Sequence, residues 1–190
     1  MQRINRRRRR RRLKKDEQTF KLSPALMKEI IGWILCAAGA IVAGVMLAIA
    51  FGKSMDVTGD AMAPTMENGQ KVLIDRLTYQ MSTPASGDII LFFSSGNQAR
   101  TYIRRVVGVP GDRVRIEHGR LCINDEYVED EFELMDEAGI AADEIVLDDG
   151  EYFVLGDNRN HCEDSRNVNI GIIHKDNVLG KIWRVYGDKK

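Results

Sequence analysis

Cysteine is scarce, with three in 190 residues. One of them, Cys36, sits inside an apolar run, so no disulfide framework can be built. Histidine is equally scarce at three, and His118 and His174 read as turn and surface residues. No metal-ligand spacing is present, and neither a metal nor a cofactor is expected. Four prolines and glycine without a repeat exclude a collagen-like chain, and 44% hydrophobic residues exclude a fully disordered one. Net charge is absent too, because 28 basic residues balance 28 acidic ones. That zero hides a split. Residues 1–29 carry 12 Lys/Arg against 3 Asp/Glu, and residues 30–190 carry 16 against 25. The chain is a basic arm followed by an acidic body.

Charge is wholly missing from Ile30 to Phe51, a run of 22 residues. As a helix it extends about 33 Å, enough for a hydrocarbon core of roughly 30 Å. A lone segment in lipid must be helical to satisfy its backbone. A cleaved leader would be shorter and would end at a cleavage signal, of which Ala48-Ile49-Ala50 is a faint trace. The reading is an uncleaved transmembrane helix over 30–51. Arg3, the run Arg6–Arg12, Lys14, Lys15, Lys21 and Lys28 precede it, and only Lys53 and Asp56 follow closely. The positive-inside rule then puts the N-terminus in the cytoplasm and residues 52–190 outside, as a single-pass plasma-membrane protein. Topology and anionic lipid account for the arginine run more simply than nucleic acid, so no nucleic-acid partner is expected.

The outer segment reads as strands and turns, a mostly β domain. Strands are predicted over Lys71–Asp75, Asp88–Phe93, Thr101–Val107, Arg113–Glu117, around Leu121 and Ile123, over Glu151–Leu155 and over Lys181–Tyr186. Val109-Pro110-Gly111-Asp112 has the type II turn pattern, and His118-Gly119 and Asn124-Asp125 mark further turns. Helical periodicity is weak, with one candidate near Asp130–Ala142. The acidic stretch 125–151 reads as a solvated excursion.

Three segments go beyond core and turn needs: Val57-Thr58-Gly59-Asp60-Ala61-Met62-Ala63-Pro64-Thr65-Met66, Tyr102-Ile103-Arg104-Arg105-Val106-Val107-Gly108-Val109-Pro110-Gly111-Asp112, and Gly156-Asp157-Asn158-Arg159-Asn160-His161-Cys162-Glu163-Asp164-Ser165-Arg166. In this order, behind an apolar anchor, they resemble the bacterial type I signal peptidases over about residues 25–187. The resemblance implies a signal peptidase-like β-fold with a Ser/Lys dyad, in which serine attacks the peptide carbonyl and a neutral lysine takes its proton.

Both centres depart from that pattern. The serine position holds Ala61 and the lysine position holds Arg104. Alanine has no oxygen to attack with, and arginine stays protonated. Losing the nucleophile alone costs roughly a million-fold in a serine protease. The resemblance gives supporting roles to Gly59 near the oxyanion hole, to Cys162 where serine usually orients the lysine, and to Asp164 and Arg166 as a brace. It gives substrate contacts to Val57, Met62, Pro64 and Tyr102. A thiol mechanism through Cys162 with His161 is disfavoured, because adjacent residues on an extended chain face opposite ways. The expectation is a catalytically degenerate homologue that holds signal-peptide-like segments of exported precursors as a chaperone or assembly factor, with pilus or surface-protein components as candidate partners. The alternatives are an active signal peptidase and a structural membrane subunit of an active paralogue.

Overall fold

The computed structural model describes residues 23–51, 53–94 and 97–187. The basic arm up to residue 22 lies outside them. The chain divides into two units, Met1–Met46 and Leu47–Lys190.

Helix α1 runs Pro24–Phe51, 28 residues, or about 42 Å. It begins before the uncharged run does. Ser23 supplies the start: its side-chain oxygen accepts from the Leu26 N–H at 3.2 Å, and Pro24 follows with its φ already set for a helix. The apolar run marks what lipid can accept, whereas hydrogen bonding and the cap mark where the helix starts. Trp33, Ile34, Leu35, Ile41 and Met46 are all exposed along it.

The second unit is built on two antiparallel sheets. In chain order the strands are β1 Lys53–Asp56, β2 Lys71–Asp75, β3 Ile89–Ser94, β4 Asn97–Gly108, β5 Arg113–Glu117, β6 Arg120–Ile123, β7 Glu126–Tyr127, β8 Ile145–Val146, β9 Glu151–Leu155, β10 Ile173–His174 and β11 Val178–Tyr186. The larger sheet has the order β1-β2-β11-β3-β4-β9-β10, and the smaller β7-β6-β5-β8. A single helical turn, α2 Thr78–Met81, follows β2.

The central strands β3 and β9 are buried on both faces, which is why they read as continuous apolar runs. In β9, Phe153 and Leu155 join Val114, Ile116 and Leu121 of the small sheet, while Tyr152 and Val154 join Ile90, Phe92 and Val106 on the other face. A third cluster gathers Val57, Met62 and Met66 under Val72, Ile74 and Ile103. Small-sheet strands alternate instead: β5 buries Val114 and Ile116 and turns Arg113 outward.

The turns follow their residues. Gly111 takes φ +88° and the Asp112 N–H bonds the Val109 carbonyl at 3.0 Å, as a type II turn requires. His118-Gly119 and Asn124-Asp125 both have positive φ at each central residue and close tight hairpins.

The helical expectation over Asp130–Ala142 is not met. The segment is irregular apart from one 3₁₀ turn, Gly139–Ala142. Its amides are engaged by other parts of the chain: Met135 N–H bonds the Gly119 carbonyl at 2.9 Å, Asp136 N–H the Asn160 side chain at 2.9 Å, and Ile140 N–H the Arg166 carbonyl at 3.0 Å. None of those donors is left for an i−4 carbonyl. The acidic stretch is therefore anchored as well as solvated, with Met135, Ala141 and Leu147 in the core.

Candidate functional site

The end of β9 brings the three singled-out segments together. Arg105 of β4 pairs with Leu155 of β9, so Arg104 lies beside the next residue, Gly156. A Cβ on Gly156 would stand 2.4 Å from Cys162 Sγ and 2.7 Å from the Ala61 carbonyl oxygen. Only glycine permits that approach. Arg104, Ala61 and Cys162 thus border one backbone position.

Ala61 opens a short turn, held by Ala63 N–H to the Asp60 carbonyl and Met66 N–H to the Met62 carbonyl. The turn is tied to the GDNR segment: Asn158 N–H donates to the Ala61 carbonyl at 3.1 Å, and the Asn158 side chain donates to the Asp60 carbonyl at 3.1 Å. Gly59 has φ +83° and its N–H donates to Asn68 Oδ1 at 3.1 Å. Val57 and Met62 are buried in the core, so their side chains are not offered to a ligand here. Pro64 is exposed and Tyr102 half-buried.

Arg104 is 6% exposed. Its Nε donates to the Glu163 carbonyl at 2.7 Å and its Nη1 to the Ile103 carbonyl at 2.6 Å. The guanidinium carbon sits 5.5 Å from the Tyr102 ring centroid, a cation–π distance. Burial lowers its pKa, and the electrostatic influence of Cys162 and Asp164 opposes that. Arginine remains charged all the same.

Cys162 is half-buried and donates its thiol hydrogen to Asp164 Oδ2 at 3.1 Å. Burial and then the Asp164 charge push its pKa up to about 11. A thiolate is disfavoured there. His161 is exposed beside it, and the thiol is held by Asp164 instead.

Asp164 and Arg166 form an ion pair that braces this end of β9. Arg166 Nε and Nη2 each donate to the Asp164 carboxylate at 2.9 Å, the bidentate geometry. Asp164 also accepts from Gly156 N–H at 3.2 Å and Arg166 N–H at 3.1 Å. A polar recess of about 310 Å³ lies against this brace, lined by Arg159, Cys162, Asp164 and Arg166. Neither Ala61 nor Arg104 lines it.

Sequence reasoning missed a second brace. Asp157, 3% exposed, accepts from Arg105 Nε at 2.8 Å, Arg105 Nη2 at 2.6 Å and Thr65 Oγ1 at 2.5 Å. It joins all three segments. The signal was present, since each of these residues lies inside a segment already singled out. Asp130 and Phe132 were missed too, hidden in the acidic stretch. Arg159 donates to Asp130 at 2.6 Å, and the guanidinium carbons of Arg159 and Arg105 lie 4.7 and 5.6 Å from the Phe132 ring.

The family described as "Signal peptidase, peptidase S26" matches residues 28–186. The chain belongs to that family. Signal peptidase IB of Staphylococcus aureus (strain COL) is 28% identical over 174 residues, covering 83% of this chain and 89% of that protein. Signal peptidase I U of Bacillus subtilis (strain 168) is 31% identical over 140 residues, 70% and 74% of the two chains. A crystal structure of a signal peptidase I from Enterococcus faecalis V583 aligns with a TM-score of 0.46 at 27% identity, over 54% of this chain and 98% of that one. The signal peptidase I family acts on signal peptides of exported precursors. Its homologues are membrane-anchored, and α1 is long and apolar enough for one crossing.

Proposed function

We propose that this signal peptidase homologue is catalytically degenerate and binds signal-peptide-like segments without cutting them. The observation that carries the reading is the pair Ala61 and Arg104. Ala61 presents no oxygen where the family's serine belongs. Arg104 offers a charged guanidinium, engaged with backbone carbonyls, where a neutral amine belongs. Cys162 does not replace them, because its thiol is held protonated against Asp164. Both braces remain, and they support a scaffold kept for binding.

An open strand edge supports the binding half of the proposal. β4 pairs with β9 only from Arg105 to Gly108, although it pairs with β3 as far as Asn97. Residues 101–104 have no backbone partner on the β9 side among the described residues. An extended peptide can add there as a strand, beside Tyr102 and Pro64. Its clients would be exported precursors, and its role that of a chaperone or assembly factor, with pilus or surface-protein assembly the favoured setting. The domains would be a cytoplasmic arm over 1–29, the span over 30–51 and an extracytoplasmic domain over 52–190.

Two experiments test this. Detergent-solubilised protein should bind a non-cleavable signal peptide; a folded protein that binds none would favour a purely structural subunit. A thiol placed near Lys190 should react with an impermeant reagent in intact cells and one near Arg6 should not. The reverse pattern would refute the orientation.

A further inference from the structure

Arg104 carries more capacity than the molecule uses. It is buried, yet it enters none of the ion pairs among the described residues. The nearby carboxylate of Asp164 is already matched by Arg166, Gly156 and Cys162. Two nitrogens of Arg104 are bonded to backbone carbonyls, but Nη2 donates to no described residue, and it is not sealed from solvent. The charges of Asp164 and Glu163 act on Arg104 through space, but neither carboxylate bonds it, and a buried charge with no bonded counter-ion is costly. Such a guanidinium can receive an anion at hydrogen-bonding distance.

The surroundings select the anion. Ala61, whose carbonyl oxygen lies against Gly156, carries only a methyl group where a serine would carry a hydroxymethyl group. Its N–H is a second donor with no partner among the described residues. The open edge of β4 ends at Arg104. An extended peptide lying along that edge ends beside Gly156, which Arg104 flanks on one side by strand register and Ala61 on the other. Guanidinium and carboxylate match as paired hydrogen-bonding groups.

We infer that Arg104, with the Ala61 N–H, is a receptor for the C-terminal α-carboxylate of an extended peptide, so that the protein prefers signal peptides already cut to intact precursors. This rests on the proposed binding role of the β4 edge. An uncut precursor places a neutral amide at this point, whereas a cut signal peptide ends there in a negative charge. Ala61 and Arg104 then cease to be mere losses. One removes the bulk of the nucleophile and the other replaces a proton acceptor with a fixed positive charge.

The test uses the full-length protein in neutral detergent and a fluorescent eight-residue peptide ending in alanine, as the free acid and as the C-terminal amide. Anisotropy should show the acid binding about tenfold tighter or more, the scale of one charge-assisted contact. That preference should vanish in Arg104→Gln and shrink as sodium chloride is raised, with the amide unaffected. Acid and amide binding equally would overturn the inference while leaving the proposed function standing. Failure of both peptides to bind would overturn both. If Arg104→Gln does not fold, the salt series on the unmodified protein decides, and an acid preference insensitive to salt removes Arg104 as its source. N-acetylalanine binding as tightly as the peptide acid would make the ligand a free small carboxylate and would also overturn the inference.

Discussion

Replacing Asp164 with asparagine keeps the shape of the brace and removes its charge. Arg166 is then left with a side chain only 10% exposed and no counter-ion. Breaking a buried pair from one side costs about 3–5 kcal/mol. Arg166 also donates to the carbonyls of Glu137, at 3.1 Å, and Arg159, so the lower end, about 3 kcal/mol, applies. For a domain of this size each kcal/mol is worth about 2–4 °C, which gives a fall in Tm of about 6–12 °C. Thermal melting followed by near-ultraviolet circular dichroism measures it, with Glu144→Gln as an exposed control that should stay within about 0.5 kcal/mol.

The same substitution has a chemical readout. The Cys162 pKa, about 11, is raised first by burial and then by the Asp164 charge and hydrogen bond. Asp164→Asn removes the second contribution and leaves the first. Alkylation of Cys162 at pH 9 should accelerate as its pKa falls. A variant that melts within 2 °C of the parent and alkylates at the parental rate would refute the brace as the support of this end of β9.

Two further outcomes follow from the packing. Gly139→Ala should destabilise by about 1–3 kcal/mol, because φ there is +59° and the new Cβ would stand 2.2 Å from the Arg166 carbonyl oxygen; an unchanged Tm would contradict that contact. The domain should also be acid-labile. Burial pushes Asp75 and Asp88 up, but Thr78 and Leu77 donating to Asp75, and Lys181, Ala85 and Tyr79 donating to Asp88, hold both below the ordinary carboxylate value. A folded pKa below the unfolded one gives stability that is present above about pH 4 and lost as pH falls through the folded value. Asp88→Asn should flatten that loss in melts between about pH 5 and pH 2, and an unflattened curve would show that Asp88 is not its source.

The strands visible in the sequence were those whose side chains carry the pattern. Lys71–Asp75, Arg113–Glu117 and Glu151–Leu155 fold with those bounds. β4 and β11 begin earlier than expected, at Asn97 and Val178, since pairing with a neighbour extends a strand beyond its apolar part. β1, Lys-Ser-Met-Asp, has no apolar alternation and exists through its pairing with β2. β7, β8 and β10 are two residues each, too short for any periodicity to register. The residues around the candidate site were legible as segments but not as contacts. That Asp157 ties Arg105 to Thr65 is a fact of chain positions 52 and 92 apart, and no local pattern encodes it. The anchoring of the acidic stretch by Asp130 and Phe132 was masked by the exposed acids around them.

Under the proposed function the scaffold persists without the dyad's chemistry. The most direct measurement is cleavage of a signal-peptide substrate by the full-length protein in detergent, beside the variant Ala61→Ser/Arg104→Lys/Cys162→Ser. Serine and lysine act as a unit, so either change alone should give little and the combination measurable cutting after a small residue. The unmodified protein should not cleave, and the triple variant should. Cleavage by the unmodified protein that survives Cys162→Ala would contradict the proposed function, and so would a triple variant that folds, binds the peptide and never cuts.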